Sequence, residues 1–315
     1  MNKPFATAAA LATALMLAAC GSRPTPQPAT ITSSRDAMTL GMQAYMDDRY
    51  LEARNYFERA LVEYRSVDNA EGQLDALVDL ADSALGQGEY QAARTYLRNA
   101  DSLLVKGNYS VIAAHVSLLH AYADMQAGDD NAALTRLDTL LNTSNTPDNV
   151  TQSALFARTQ VAFDLDAADS AQWLGKLGSS LDKRGGALVE SRYQRLQALA
   201  ARKQGDVKHA AALYENALQG YRDVYYRPGI AATLEEWAGM SAAGQQWASA
   251  RDRLRRALDI RLWLYDRNHA EKDLEKLAEV DAKLGNAAAA AQDRKLAGYL
   301  MGGGNPAQMP DPLQP

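Results

Sequence analysis

One cysteine, Cys20, stands in a chain of 315 residues. A lone thiol cannot close an internal disulfide, and it has no neighbours with metal-ligand spacing. Histidine is almost as scarce: His115, His120, His209 and His269 are the complete set. His115 and His120 are five apart, a spacing that shares a helical face poorly, and no acidic ligand accompanies them. No Lys/Arg block occurs; 33 basic residues are set against 38 acidic ones for a formal charge of −5. That balance excludes a sequence-independent grip on nucleic-acid phosphates. No HExxH, P-loop, G-x-S-x-G or dinucleotide-binding glycine motif is present. The triplet Gly302-Gly303-Gly304 follows no strand. Asp47-Asp48 and Asp129-Asp130 fall at turns, where helix capping explains them, and Glu235-Glu236 reads as a solvated helix face. The expectation is a protein without catalytic residues, metal or cofactor.

What is present starts with an address. Residues 1–19 carry a short positive head at Lys3 and an apolar core from Phe5 to Leu17. That core is too short to span a bilayer, which takes roughly 20 residues, and it reads as a secretory signal. Its end, Leu17-Ala18-Ala19-Cys20, resembles the lipobox of bacterial lipoproteins. The resemblance implies a diacylglyceryl group on the Cys20 sulfur, cleavage after Ala19 and N-acylation of the new terminus. Two or three acyl chains anchor stably where one holds only marginally. Gly21 and Ser22 follow the cysteine, without the Asp that favours inner-membrane retention, so the implied location is the outer membrane, facing the periplasm. Residues 20–33 then form a Pro/Ser/Thr-rich tether, extended at about 3.1 Å per residue where it is polyproline-like.

The body of the chain repeats. Tyr50, Ala53, Phe57 and Ala60 return forty residues later as Tyr90, Ala93, Leu97 and Ala100. The phase recurs at Asp130, Ala133, Leu137 and Leu140, at Val207, Ala210, Tyr214 and Ala217, and at Trp247, Ala250, Leu254 and Ala257. A last copy runs Ala287, Ala290, Arg294 and Ala297, and a weak one lies near Ala168 and Ala171, making seven units. Offsets of three, four and seven lie on one helical face. Upstream of each copy a second helical run ends in a turn such as GQGE, AGDD, KQGD or KLGN, where Gly supplies a left-handed C-cap. Each unit therefore predicts a helix–turn–helix hairpin.

These units resemble the tetratricopeptide repeat (TPR). Leu40-Gly41, Leu80-Ala81, Trp237-Ala238 and Leu277-Ala278 match its large-then-small pair in the first helix, and the alanine–bulky–alanine set matches the second. The family's first-helix Trp and most of its closing prolines are missing, and the period is forty rather than 34. The implied fold is all-α: a right-handed superhelical solenoid of about seven TPR-like hairpins over residues 34–301, the fourth distorted. Residues 302–315, rich in Gly and Pro, are expected to form a disordered tail.

In the family the first helices line a concave binding wall. Carried over by offset, that wall receives Met38, Met42, Tyr45, Tyr122, Met125, Phe156, Phe163, Arg192, Arg195, Leu199 and Arg202. Methionines adapt to irregular apolar partners, and arginines hold carboxylates bidentately. The implied function is a lipid-anchored scaffold that binds a protein or peptide partner in envelope assembly: pilus or secretin assembly, barrel insertion or cell-wall synthesis. A carrier of an apolar small ligand is the alternative. A cell-wall hydrolase would require carboxylates about 5–9.5 Å apart on the concave wall, and the sequence singles out no such pair.

Overall fold

The computed structural model describes residues 29–181 and 186–309. Among them are fourteen α-helices in seven hairpins and no strand. The hairpins are α1/α2 (Ala29–Met46, Tyr50–Ser66), α3/α4 (Ala70–Gly86, Tyr90–Leu104), α5/α6 (Ser110–Gln126, Asp130–Leu141) and α7/α8 (Asp148–Asp164, Ser170–Ser180). They continue with α9/α10 (Gly186–Lys203, Val207–Asp223), α11/α12 (Arg227–Ala243, Trp247–Trp263) and α13/α14 (Arg267–Lys283, Ala287–Met301). Cys20, the leader and most of the tether lie outside the described residues. The first helix starts at Ala29, inside the stretch expected as tether, directly after Pro28. Pro has no N–H to give a helix interior but is tolerated at a helix start.

The recurring alanines explain the architecture. Ala53, Ala93, Ala133, Ala210 and Ala250 are wholly buried, as are Phe57, Leu97, Leu137 and Tyr214 four residues on. A methyl side chain lets the neighbouring helix approach, and the bulky residue fills the space beside it. At Gly41 the approach is closer still, since a Cβ there would lie 2.4 Å from the Phe57 ring. The core is thus a succession of clusters, each shared by neighbouring hairpins. First helices also touch first helices (α3 with α5, α5 with α7, α7 with α9, α9 with α11), and no pair of second helices packs comparably. The first helices therefore line the inside of the curve.

Each hairpin turn needs one residue in the left-handed region. Asp48, Gly88 and Gly128 fill it in the first three units, Asp166 in the fourth, and Gly205, Gln245 and Gly285 in the rest. The fourth unit is the irregular one: α8 spans only 11 residues, and Ala171 is exposed while Leu177 is buried in its place. The two ends depart from the repeat for a common reason, the lack of a further neighbour. Leu40, the large member of its pair, is 43% exposed in the first unit. Arg294, expected at the gap-filling position of the last, is exposed, as suits a terminal repeat with a polar outer face. The tail carries a 3-10 turn at Pro306–Gln308, capped by Asn305, and Met309 packs on the last core cluster. That part of the tail is ordered by packing; residues 310–315 lie outside the described residues.

The curve closes on itself. Asp48, in the turn of the first hairpin, accepts hydrogen bonds at 3.3 Å from the backbone N and the guanidinium of Arg227, 179 residues away. One hairpin further along, Asn268 Nδ2 donates to the Gly88 carbonyl at 2.6 Å, across 180 residues. The solenoid completes a turn in about four and a half units, and its edge docks at hairpins six and seven. Gly88 is tightly held there: a Cβ would lie 2.1 Å from Asp266 Oδ1. At Gly128, with a similar φ, a Cβ would meet nothing within 4 Å. Gly128→Ala should therefore cost only the left-handed penalty of about 1–2 kcal/mol. Gly88→Ala should cost more and also part the seam. A larger radius of gyration in X-ray scattering for Gly88→Ala alone, at unchanged helicity, is the expected result; equal behaviour of the two variants would refute the seam.

Candidate binding lumen

Closure turns the concave wall into a lumen. Tyr226, at the start of α11, lies within electrostatic reach of Tyr122, Arg192 and Asp48. Tyr45 and Tyr50 both feel Tyr226 in turn, and their rings pack edge-on with centroids 5.4 Å apart. Tyr45 Oη donates to Asp82 Oδ2 at 2.9 Å. Burial lifts the Tyr226 phenol to about 12, with Arg192 pulling the other way. Burial and then Asp82 keep Tyr45 protonated far above its usual range. These phenols are permanent hydrogen-bond donors at any physiological pH.

The other expected residues are distributed unevenly. Met38 lines a cavity of about 320 Å³ on the inner wall with Asp75, Asp79, Ile112, His115 and Val150. Met42 is exposed, and Met125 packs partly buried against the core of hairpins three and four. Phe156 and Leu199 are buried inside the core of hairpins four to six, and Phe163 lies against it. They support the wall rather than face the lumen, because the fourth hairpin is shortened and its neighbours close over it. Arg192 stands with its guanidinium 4.4 Å from the Phe156 ring centroid, a cation–π contact that leaves its donors toward the lumen. Arg202 is exposed.

Arg195 is not a free arginine. It pairs with Glu236 at 2.5 Å, joining α9 to α11. Glu235 takes Arg261 in a two-toothed bridge at 2.7 and 3.1 Å. The expectation of a solvated Glu235-Glu236 face is thus corrected: an arginine from a neighbouring helix covers each carboxylate. Burial raises Glu236 to about 7 against the pull of Arg195. For Glu235 burial acts upward too, and Arg261 outweighs it.

The sequence reading missed an acidic stripe. Asp75, Asp79 and Asp82 sit on one face of α3, at i, i+4 and i+7. No ion pair reaches any of the three among the described residues. Burial first, then Asp82 and Asp75, lifts Asp79 to about 7. The lumen therefore carries carboxylates on the α3 wall and arginine on the α9 wall, with tyrosines between. No group of three or more His, Cys, Asp or Glu that could hold a metal occurs among the described residues.

The Asp79 shift has a definite sign. A folded-state value near 7, above the ordinary 3.8, means that charging this carboxyl opposes folding. The penalty is absent at low pH, grows as pH rises through that interval and is complete above it. Asp79→Asn should be close to neutral at about pH 4 and stabilise by about 1–2 kcal/mol at about pH 8, less than the full linkage value because the carboxyl reaches solvent. Thermal unfolding at both pH values checks this, and an equal effect at both would refute it.

No protein-family model matches the chain, and no curated protein does. Among solved structures it is similar to the Rap protein complexed with Competence and Sporulation Factor, at TM-score 0.68 and 13% identity, over 88% of this chain and 77% of that one. Weaker likenesses are to BtubC (BKLC) from P. vanneervenii, at TM-score 0.42 and 12% identity over 88% of this chain and 92% of that one. A tetratricopeptide repeat protein from Parabacteroides merdae ATCC 43184 gives TM-score 0.42 and 16% identity, over 84% of this chain and 99% of that one. The first likeness is one of fold, and together with the in-phase helical hairpins it makes this chain a tetratricopeptide-like solenoid.

Proposed function

We propose that this chain is a non-enzymatic adaptor, anchored by lipid on Cys20 to the periplasmic side of the outer membrane, that holds a peptide segment of an envelope-assembly protein in its lumen. The observation that carries the reading is the lumen itself: Tyr45, Tyr122 and Tyr226 between the Asp75/Asp79/Asp82 stripe and Arg192. Phenols offer flat apolar faces, suited to a peptide's apolar side chains, while the Tyr45 and Tyr122 hydroxyls are held by Asp82 and the Ser153 carbonyl. Arg192 takes an acidic side chain or a C-terminal carboxylate, and the α3 stripe takes a cationic residue or free amine. The similar Rap protein is itself complexed with Competence and Sporulation Factor, which supports a partner of this kind. The anchor would come from the Leu17-Ala18-Ala19-Cys20 pattern, since no described helix is long and apolar enough to cross a membrane.

A second reading, carriage of an apolar small ligand, is favoured by a cavity of about 660 Å³ at the seam, walled by Leu51, Leu262, Trp263 and Tyr265. Lipid copurifying with the wild type and lost in Trp263→Ser would move the assignment there.

The adaptor reading has two tests. Cys20→Ser should shift the protein from the detergent phase to the aqueous phase on phase partitioning and abolish palmitate labelling. Arg192→Glu with Arg202→Glu, leaving the Arg195–Glu236 pair intact, should lose the partner that the wild type captures from crosslinked envelopes. Capture of the same partner by both proteins would remove the lumen as its binding site.

A further inference from the structure

The outer surface carries a second, independent recess. Between α10 and α12, both second helices, lies a cavity of about 520 Å³ whose walls include Arg222, Arg253, Arg256, Glu215 and Asp252, with the partly buried Trp237, stacked on Tyr214, reaching its floor. Two of the three arginines have acidic partners. Arg256 pairs with Asp252 on its own helix at 3.2 Å, and Arg222 lies 3.9 Å from Glu215. Arg253 differs. Its guanidinium lies flat over Trp237, 4.0 Å from the ring centroid, and donates to Ser241 Oγ and the Ser249 carbonyl, both at 3.1 Å. Among the described residues no carboxylate lies within ion-pair distance of it; Asp252 and Glu215 act on it from farther off.

Arg253 is also held in a poorly hydrated place. Loss of hydration is the leading influence on it and pulls its pKa down, whereas at Arg195 and Arg261 the same influence is outweighed by Glu236 and by Glu235 with Asp266. A partly desolvated cation with no carboxylate in ion-pair contact gains when one arrives, and a guanidinium stacked on an indole has its outer edge preorganised for a carboxylate. The indole floor adds an apolar surface beside that charge.

We infer that the α10/α12 recess binds an acidic segment of a protein partner, seating an Asp or Glu carboxylate on Arg253 and an adjacent apolar side chain on Trp237. The recess, at about 520 Å³, is too large for a carboxylate alone. Because it opens on the outside of the curve, it can be filled while the lumen is occupied.

Calorimetric titration of the full chain with the blocked peptide acetyl-Glu-Leu-Glu-Leu-amide tests the inference. Binding should weaken by about tenfold or more in Arg253→Gln, as expected for loss of a charge-assisted pair. It should also weaken in Arg256→Gln, a rim change that keeps the test valid if the first variant folds poorly. In an Arg192→Gln background, which removes the lumen's own seat for an acidic side chain, the Arg253-dependent binding should persist, and the glutamine counterpart of the peptide should not bind. The inference is overturned if the acidic peptide fails to bind the wild type, or if Arg253→Gln binds as the wild type does. It is equally overturned if Arg192→Gln removes the binding, if inorganic phosphate binds as tightly as the peptide, or if phosphatidylglycerol vesicles are retained through Arg253 instead.

Discussion

How closely one helix approaches the next governs everything else in this protein. Alanine at the inward position of each second helix sets that distance, and Gly41 sets it in the first hairpin. With the approach fixed, the bulky residue one turn on has a defined space to fill. That packing, repeated along the chain except in the irregular fourth unit, accompanies the curve, the inner wall of first helices and the meeting of edges residues 180 apart. None of these larger features has its own dedicated motif; they are the sum of one contact.

Charge secures what alanine positions. Six residues after the hairpin turn, Arg54, Arg94 and Arg251 reach the next unit and meet Glu89, Asp124 and Asp281, each at 2.7 Å. Asp281 is fully buried and is compensated twice, by Arg251 and by Arg255 at 3.7 Å. In the middle units Leu134 and Ala211 occupy the arginine's register, and the joints there are made instead by Arg158 with Asp138 and by Arg195 with Glu236. Ion pairs of this kind add little net energy at a surface, but buried between repeats they specify the register of one hairpin on the next.

The fold was legible in the sequence because its signal is local and recurrent. Ala53, Ala93, Ala133, Ala210 and Ala250 keep one phase, and Gly88, Gly128, Gly205 and Gly285 mark the turns. The places where local reading failed are those set by neighbours that the repeat does not contain. Leu40 and Arg294 obey the pattern in position but not in burial, since nothing packs beyond them. Glu235 and Glu236 look like a wet helix face until Arg261 and Arg195 arrive from other helices. The site was harder to read. Offsets within one hairpin placed Tyr45, Tyr122 and Arg192 on the wall, but Tyr226 sits in an inter-hairpin turn and joins them only because the curve closes. Asp79 and Asp82 are ordinary helix residues by composition; their meaning comes from sharing a face of the inner wall that no ion pair reaches among the described residues. Phe156 and Leu199 share the family offset yet are buried, because α8 is too short to hold the fourth hairpin in register.

The seam between Asp48 and Arg227 has a kinetic consequence. An open solenoid can receive a partner sideways along its whole length, as a hook receives a rope. A spiral fastened to itself admits a chain only by its end, or by first releasing the fastening. A folded domain with a loop to offer would be turned away, whereas a free terminus or a slender tail could enter. Selection among partners would then begin with their topology, before any side chain is read.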